Sequence, residues 1–156
     1  MSKKHYIIEH MEDGMHDWCL LEYKHMLSNV GPDHLWFSCL SEKCLETMPE
    51  ELKQAHCHSN DVMNLPGVDP SKVCLLDPSA EKELSPEDAE TFDYFLFGGI
   101  LGDDPPRDRT GELRKLGFAG RRLGPVQMTT DTALNVTRRV VENQGKKRKK
   151  KGAEEN

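Results

Sequence analysis

Phe92-Asp-Tyr-Phe-Leu-Phe-Gly-Gly-Ile-Leu-Gly-Asp-Asp-Pro-Pro-Arg-Asp-Arg-Thr110 runs from an apolar strand straight into glycines, acids, prolines and arginines. Arg121-Arg-Leu-Gly-Pro-Val-Gln-Met-Thr-Thr-Asp-Thr-Ala-Leu-Asn-Val136 follows soon after. A strand apolar on both faces belongs inside a parallel sheet, and charge crowded at its end belongs to a loop that carries function. Three such loops are expected: 98–109, 121–125 and 127–131. Loops that converge at the carboxyl ends of neighbouring strands build a crevice for a nucleotide-like ligand.

Outward from that stretch, short apolar runs alternate with helical spacings. Strands are expected at Tyr6 to Glu9, Leu35 to Leu40, Val73 to Leu76, Tyr94 to Phe97 and Ala119 to Leu123. Met15, Trp18, Cys19, Tyr23, Met26, Leu27 and Val30 recur at three- and four-residue steps and predict a helix that Gly31-Pro32 ends. Leu45 to Ala55 predicts a second helix, and 56–70 reads as a loop. Ser85 is expected to cap a short helix with Pro86 at its first position. Thr110 to Leu116 reads as helical. Thr129 or Thr130 opens a last helix with Ala133, Leu134, Thr137, Val140 and Val141 on one face, and Gly145 ends it. The fold class expected is α/β, a mainly parallel sheet flanked by helices.

The 156 residues suit one domain, 1–145, followed by a basic tail, 146–156, expected to be disordered. The tail holds six positive charges in Lys146-Lys-Arg-Lys-Lys-Lys151 and two negative ones at Glu154 and Glu155. Because the whole chain is −6, residues 1–145 carry about −10. An acidic body suits a basic protein partner better than nucleic acid, whose phosphates it repels. Five cysteines at irregular spacing fit a reducing compartment, and Met-Ser-Lys-Lys-His offers no apolar signal core. A cytoplasmic location is therefore expected. Cys39, Cys44, His56, Cys57 and His58 lack the paired spacing of a zinc site, so no metal is expected.

The two quoted blocks, together with Tyr6-Ile-Ile-Glu-His-Met11 and Val73-Cys-Leu-Leu-Asp-Pro78, resemble the SPOUT class of S-adenosylmethionine-dependent methyltransferases. The resemblance is strongest to the branch that methylates arginine in a small-subunit ribosomal protein. It covers roughly residues 6 to 140. It implies a trefoil knot between about Val73 and Val141, with the cofactor held in the knot loops. The cofactor residues it implies are Leu76, Phe97, Gly98, Gly99, Gly102, Leu123, Gly124, Gln127, Met128, Thr130 and Thr132. It also implies a monomer. Where this chain turns to lysines, the family continues with further ordered sequence.

S-adenosylmethionine carries its own electrophile, so the chemistry asks for positioning and for one proton to be handled. A guanidinium has no ready lone pair and a pKa above about 12; carboxylates can clamp it and accept the proton. Glu9, Asp103 and Asp104 are the carboxylate candidates, with Asp108 beside them, and Arg107 completes the expected catalytic set. Glu9 stands out because a carboxylate closing an apolar strand is costly without a partner. Arg107, Arg109, Arg121 and Arg122 are expected to meet the cofactor's carboxylate or to pair with the loop aspartates. Two rivals stay open. One is an RNA methyltransferase of the same fold, with the arginines on phosphates; on either reading Lys146 to Lys151 is a candidate contact to RNA or the ribosome. The other is a non-catalytic binding module.

Overall fold

The computed structural model describes residues 4–10, 17–77, 80–98, 113–123 and 130–142. The elements are β1 (His5–Glu9), α1 (Asp17–Val30), β2 (Leu35–Ser38), α2 (Glu42–Thr47), α3 (Glu50–Lys53), β3 (His56–Cys57), β4 (Val73–Leu76), α4 (Asp88–Thr91), β5 (Tyr94–Gly98), β6 (Ala119–Arg121) and α5 (Thr130–Glu142). The six strands form one sheet in the order β3-β2-β1-β5-β4-β6, with every pairing parallel. β1 and β5 lie at its centre, which explains why Tyr6, Ile7, Ile8, Phe95 and Leu96 are all fully buried.

Connection handedness decides what covers each face. The links β1 to β2, β2 to β3 and β4 to β5 all step the same way across the sheet. Right-handed crossovers then place α1, α2, α3 and α4 on one face. Tyr23, Met26 and Val30 of α1, Leu52 of α3, Ala89 of α4, and Leu134 and Val141 of α5 pack there against Tyr6, Ile8, Phe37, Phe95 and Phe97. The links β3 to β4 and β5 to β6 step the other way and cover the opposite face. There Val62, Leu65, Val68 and Leu113 meet Ile7, Trp36, Val73, Leu75 and Leu96.

Several expected boundaries move. The single helix expected from Leu45 to Ala55 is two, because Pro49 separates them; α2 starts earlier, where Ser41 Oγ accepts the Cys44 N–H at 3.1 Å. The loop expected over 56–70 contains a sixth strand, β3, two residues too short to show a periodicity, and a 3-10 turn at Val62–Asn64. β2 ends at Ser38 because Cys39 takes a left-handed φ of 59°. β6 stops at Arg121, with Arg122 bridging to Glu83. At Ser85 the cap runs in reverse: the Asp88 carboxylate accepts the Ser85 N–H at 2.9 Å, and the helix starts at Asp88. Helix is found at Leu113 and Arg114, with a turn after them. The stretches 99–112 and 124–129, through which the expected knot runs, and the basic tail lie outside the described residues.

Candidate active site

Steps of opposite sense leave from adjacent strands, β1 and β5, so their carboxyl ends bound the crevice of an open α/β sheet. Glu9 ends β1 and Gly98 ends β5, and the two are register partners. Alternation along β1 turns Glu9 to the same face as Ile7, the face covered by 58–72. It is 4% exposed. Ser38, its register partner on β2, donates its hydroxyl to Glu9 Oε1, and the Val62 N–H donates to the same oxygen at 3.0 Å. Oε2 accepts no hydrogen bond among the described residues. Burial raises the Glu9 pKa from its ordinary value of 4.5; the two donors pull it back, and the charge of Asp61 pushes it up again. The result is a carboxylate more basic than a solvated one, with one oxygen fixed and one left over.

Neighbouring groups hold this end of the sheet rigid. The His10 N–H donates to Ser38 O at 2.9 Å, and His10 Nδ1 and Tyr23 Oη hydrogen-bond at 2.8 Å. On the other side, Asp77 follows β4 and grips Arg114 through two bonds of 2.6 and 2.8 Å. Sequence reading marked Asp77 only as a strand end; its partner lies 37 residues away, and no local signal announces such a pair.

Two of the arginines expected at the crevice have partners among the described residues. Arg121 Nε donates to Asp88 at 3.1 Å, and its guanidinium lies 5.5 Å from the centre of the Phe92 ring. Arg122 donates to the carbonyls of Ala80 and Glu81, both at 3.2 Å. Each braces the β4–α4 connection; the loop aspartates expected as their partners lie outside the described residues. Sequence could not show this, because Asp88 is brought to Arg121 only by the β4–β6 pairing.

A family described as "Protein arginine N-methyltransferase SFM1-like" matches residues 5–151. The chain belongs to this family. The protein arginine N-methyltransferase SFM1 of Saccharomyces cerevisiae is 46% identical over 149 residues, spanning 87% of this chain and 70% of that protein. The crystal structure of the yeast arginine methyltransferase SFM1 complexed with SAM superposes with a TM-score of 0.80 at 42% identity, covering 92% of this chain and 70% of that one. Its SAH complex gives 0.78 at 44% identity, over 90% of this chain and 72% of that one. Dual specific Trm10 from Thermococcus kodakaraensis, at 20% identity and a TM-score of 0.63, covers 90% of this chain and 93% of its own and shares the fold alone. These are SPOUT-class relatives, as the sequence suggested.

Within this SFM1-like frame, the expected cofactor residues separate into three groups. Leu76, Phe97 and Gly98 stand at the carboxyl ends of β4 and β5, the first two buried. Leu123, just past β6, packs partly buried against the helix-side core, and Thr132 is exposed on α5. Thr130 opens α5. Gly99, Gly102, Gly124, Gln127 and Met128, with Asp103, Asp104, Arg107, Asp108 and Arg109, lie outside the described residues. The described part offers a strand end without a side chain at Gly98, which lets a ligand approach the backbone, with the buried Glu9 carboxylate on the neighbouring strand. Leu76 and Phe97 are buried in the helix-side core, on the sheet face opposite Glu9. Ser38 and the Val62 N–H, which fix Glu9, were missed by sequence reading. Parallel pairing of β1 with β2 is what places Ser38 there.

Proposed function

We propose that this chain transfers the methyl group of S-adenosylmethionine to an arginine of a basic protein, a small-subunit ribosomal protein, and that it does so as a cytoplasmic monomer. The observation that carries the reading is Glu9, buried at the switch-point crevice, with Oε1 fixed by Ser38 and Val62 and Oε2 without a donor among the described residues. Among the described residues this buried carboxylate is held by two neutral donors and no cation, and a substrate guanidinium would supply the countercharge. The acidic body favours a basic acceptor.

S-adenosylmethionine supplies a methyl on a positive sulfur, and the sulfur keeps the electron pair of the broken bond. Glu9 does the remaining work. It orients the guanidinium plane so that one nitrogen faces the methyl, and it takes the proton that nitrogen loses as the new bond forms. Its raised pKa strengthens it as a base. Ser38 and Val62 keep it from rotating away.

The test uses labelled S-adenosylmethionine, free 30S or 40S ribosomal proteins and, separately, ribosomal RNA. Label that enters protein and survives ribonuclease supports the reading. Label in RNA alone sinks it in favour of an RNA methyltransferase. Glu9→Gln should lose at least about 100-fold in turnover while calorimetry finds cofactor affinity unchanged; a fully active variant removes Glu9 from the mechanism.

A further inference from the structure

Beside Glu9 lies a second carboxylate that nothing in the sequence marked. Asp61 immediately precedes Val62, whose N–H holds Glu9 Oε1 at 3.0 Å. The segment carrying it is pinned to the end of β2: the Cys39 N–H donates to Asn60 O at 2.7 Å, and the Leu40 N–H to His58 O at 3.1 Å. Left-handed Cys39 turns the chain at that point. The Asp61 side chain is in turn fixed, because Asn64 Nδ2 donates to Asp61 Oδ1 at 2.7 Å. Asp61 is exposed, whereas Glu9 is buried. Burial lifts the pKa of both the Glu9 carboxyl and the Cys39 thiol, and the negative charge of Asp61 reaches both groups and adds to the rise.

A buried carboxylate and an exposed one therefore stand at the same end of the sheet, Asp61 on the segment tied to the end of β2 and Gly98 on the β5 side of Glu9. A guanidinium presents five donors in one plane and can give one edge to each of two carboxylates; an ammonium is a compact point charge that cannot span them. Among the described residues Oε2 of Glu9 accepts no hydrogen bond, which leaves it available to such a donor. We propose that Asp61 is the specificity-determining rim of the acceptor subsite, capturing the substrate arginine and delivering its guanidinium to Glu9. This rests on the reading of Glu9 given above.

Asp61→Asn keeps the bond from Asn64 and the Val62 N–H but removes the charge. Steady-state kinetics are measured with the purified ribosomal protein that the wild-type enzyme labels. The KM for that protein should rise about tenfold, the loss of one charge-assisted contact, while kcat stays within about twofold and the Kd for S-adenosylmethionine is unchanged. Asp61→Glu should recover most of the KM. An unchanged KM in Asp61→Asn, with Glu9→Gln inactive, overturns the role of Asp61 and leaves Glu9 standing. Full activity in Glu9→Gln overturns the reading beneath it. A lowered melting temperature together with weaker cofactor binding in Asp61→Asn would assign Asp61 to structure and overturn the proposal as well.

Discussion

Glu9 and Gly98 face each other as the last of five register pairs between β1 and β5. The pairing sets the backbone of Glu9 one strand spacing, about 4.8 Å, from the first glycine of the loop that the sequence assigns to the methyl donor. The proposed acceptor carboxylate and the expected donor loop thus start from the two central strands, joined by backbone hydrogen bonds.

That placement has a cost that should be measurable. Because the folded pKa of Glu9 is raised, the folded state binds its proton more tightly than the unfolded chain does. The stabilisation is complete below about pH 4.5 and is lost as pH rises through the folded value. Glu9→Gln, whose amide oxygen can still accept from Ser38 and Val62, should therefore match the wild type in urea denaturation at about pH 4 and exceed it at about pH 8. Equal stability at both pH values would contradict a buried charged carboxylate.

The far end of the same sheet should respond in the opposite sense. Burial and the neighbouring His34 and His56 lower the His5 pKa, with Asp93 opposing and Lys4 assisting. The ring stacks on Tyr94 with centroids 5.2 Å apart and accepts the Trp36 Nε1–H at 3.1 Å. Burial and His56 lower His58 as well. A lowered folded pKa gives stability that is present above about pH 6.5 and lost as pH falls through the folded value. His5→Gln should flatten the decline in unfolding free energy between about pH 7.5 and pH 5, and a decline of unchanged slope would remove His5 from it.

Arg114→Ala leaves the Asp77 carboxylate, 5% exposed, without its forked partner. The Arg114 side chain is 42% exposed, so the loss falls below that of a fully buried pair. We expect about 2–3 kcal/mol in denaturant midpoints. Less than about 0.5 kcal/mol would mean that water replaces the arginine.

Cys39 holds a left-handed backbone that costs a non-glycine residue about 1–2 kcal/mol. Glycine removes that strain but adds freedom to the unfolded chain. Cys39→Gly should therefore gain up to about 1 kcal/mol in thermal or chemical unfolding. A destabilised variant would show that the half-buried thiol contributes more by packing than the backbone loses.

Local pattern alone was enough to mark the strands that are apolar on both faces, β1, β4 and β5, along with the long helix α1 and the final helix α5. These elements are long or repetitive enough for periodicity to exceed noise. Glu9 was legible in the same way, since a charge at the end of a buried strand conflicts with its surroundings wherever the strand goes. Folding was needed to reveal that Ser38, Val62 and Asp61 surround Glu9, that Asp77 holds Arg114 and that Arg121 turns to Asp88. Each of those contacts joins segments dozens of residues apart, and strand order, which decides which segments become neighbours, has no signature in local spacing. The two-residue strand β3 was invisible for the same reason: its strand character comes from pairing with β2 and not from its own residues.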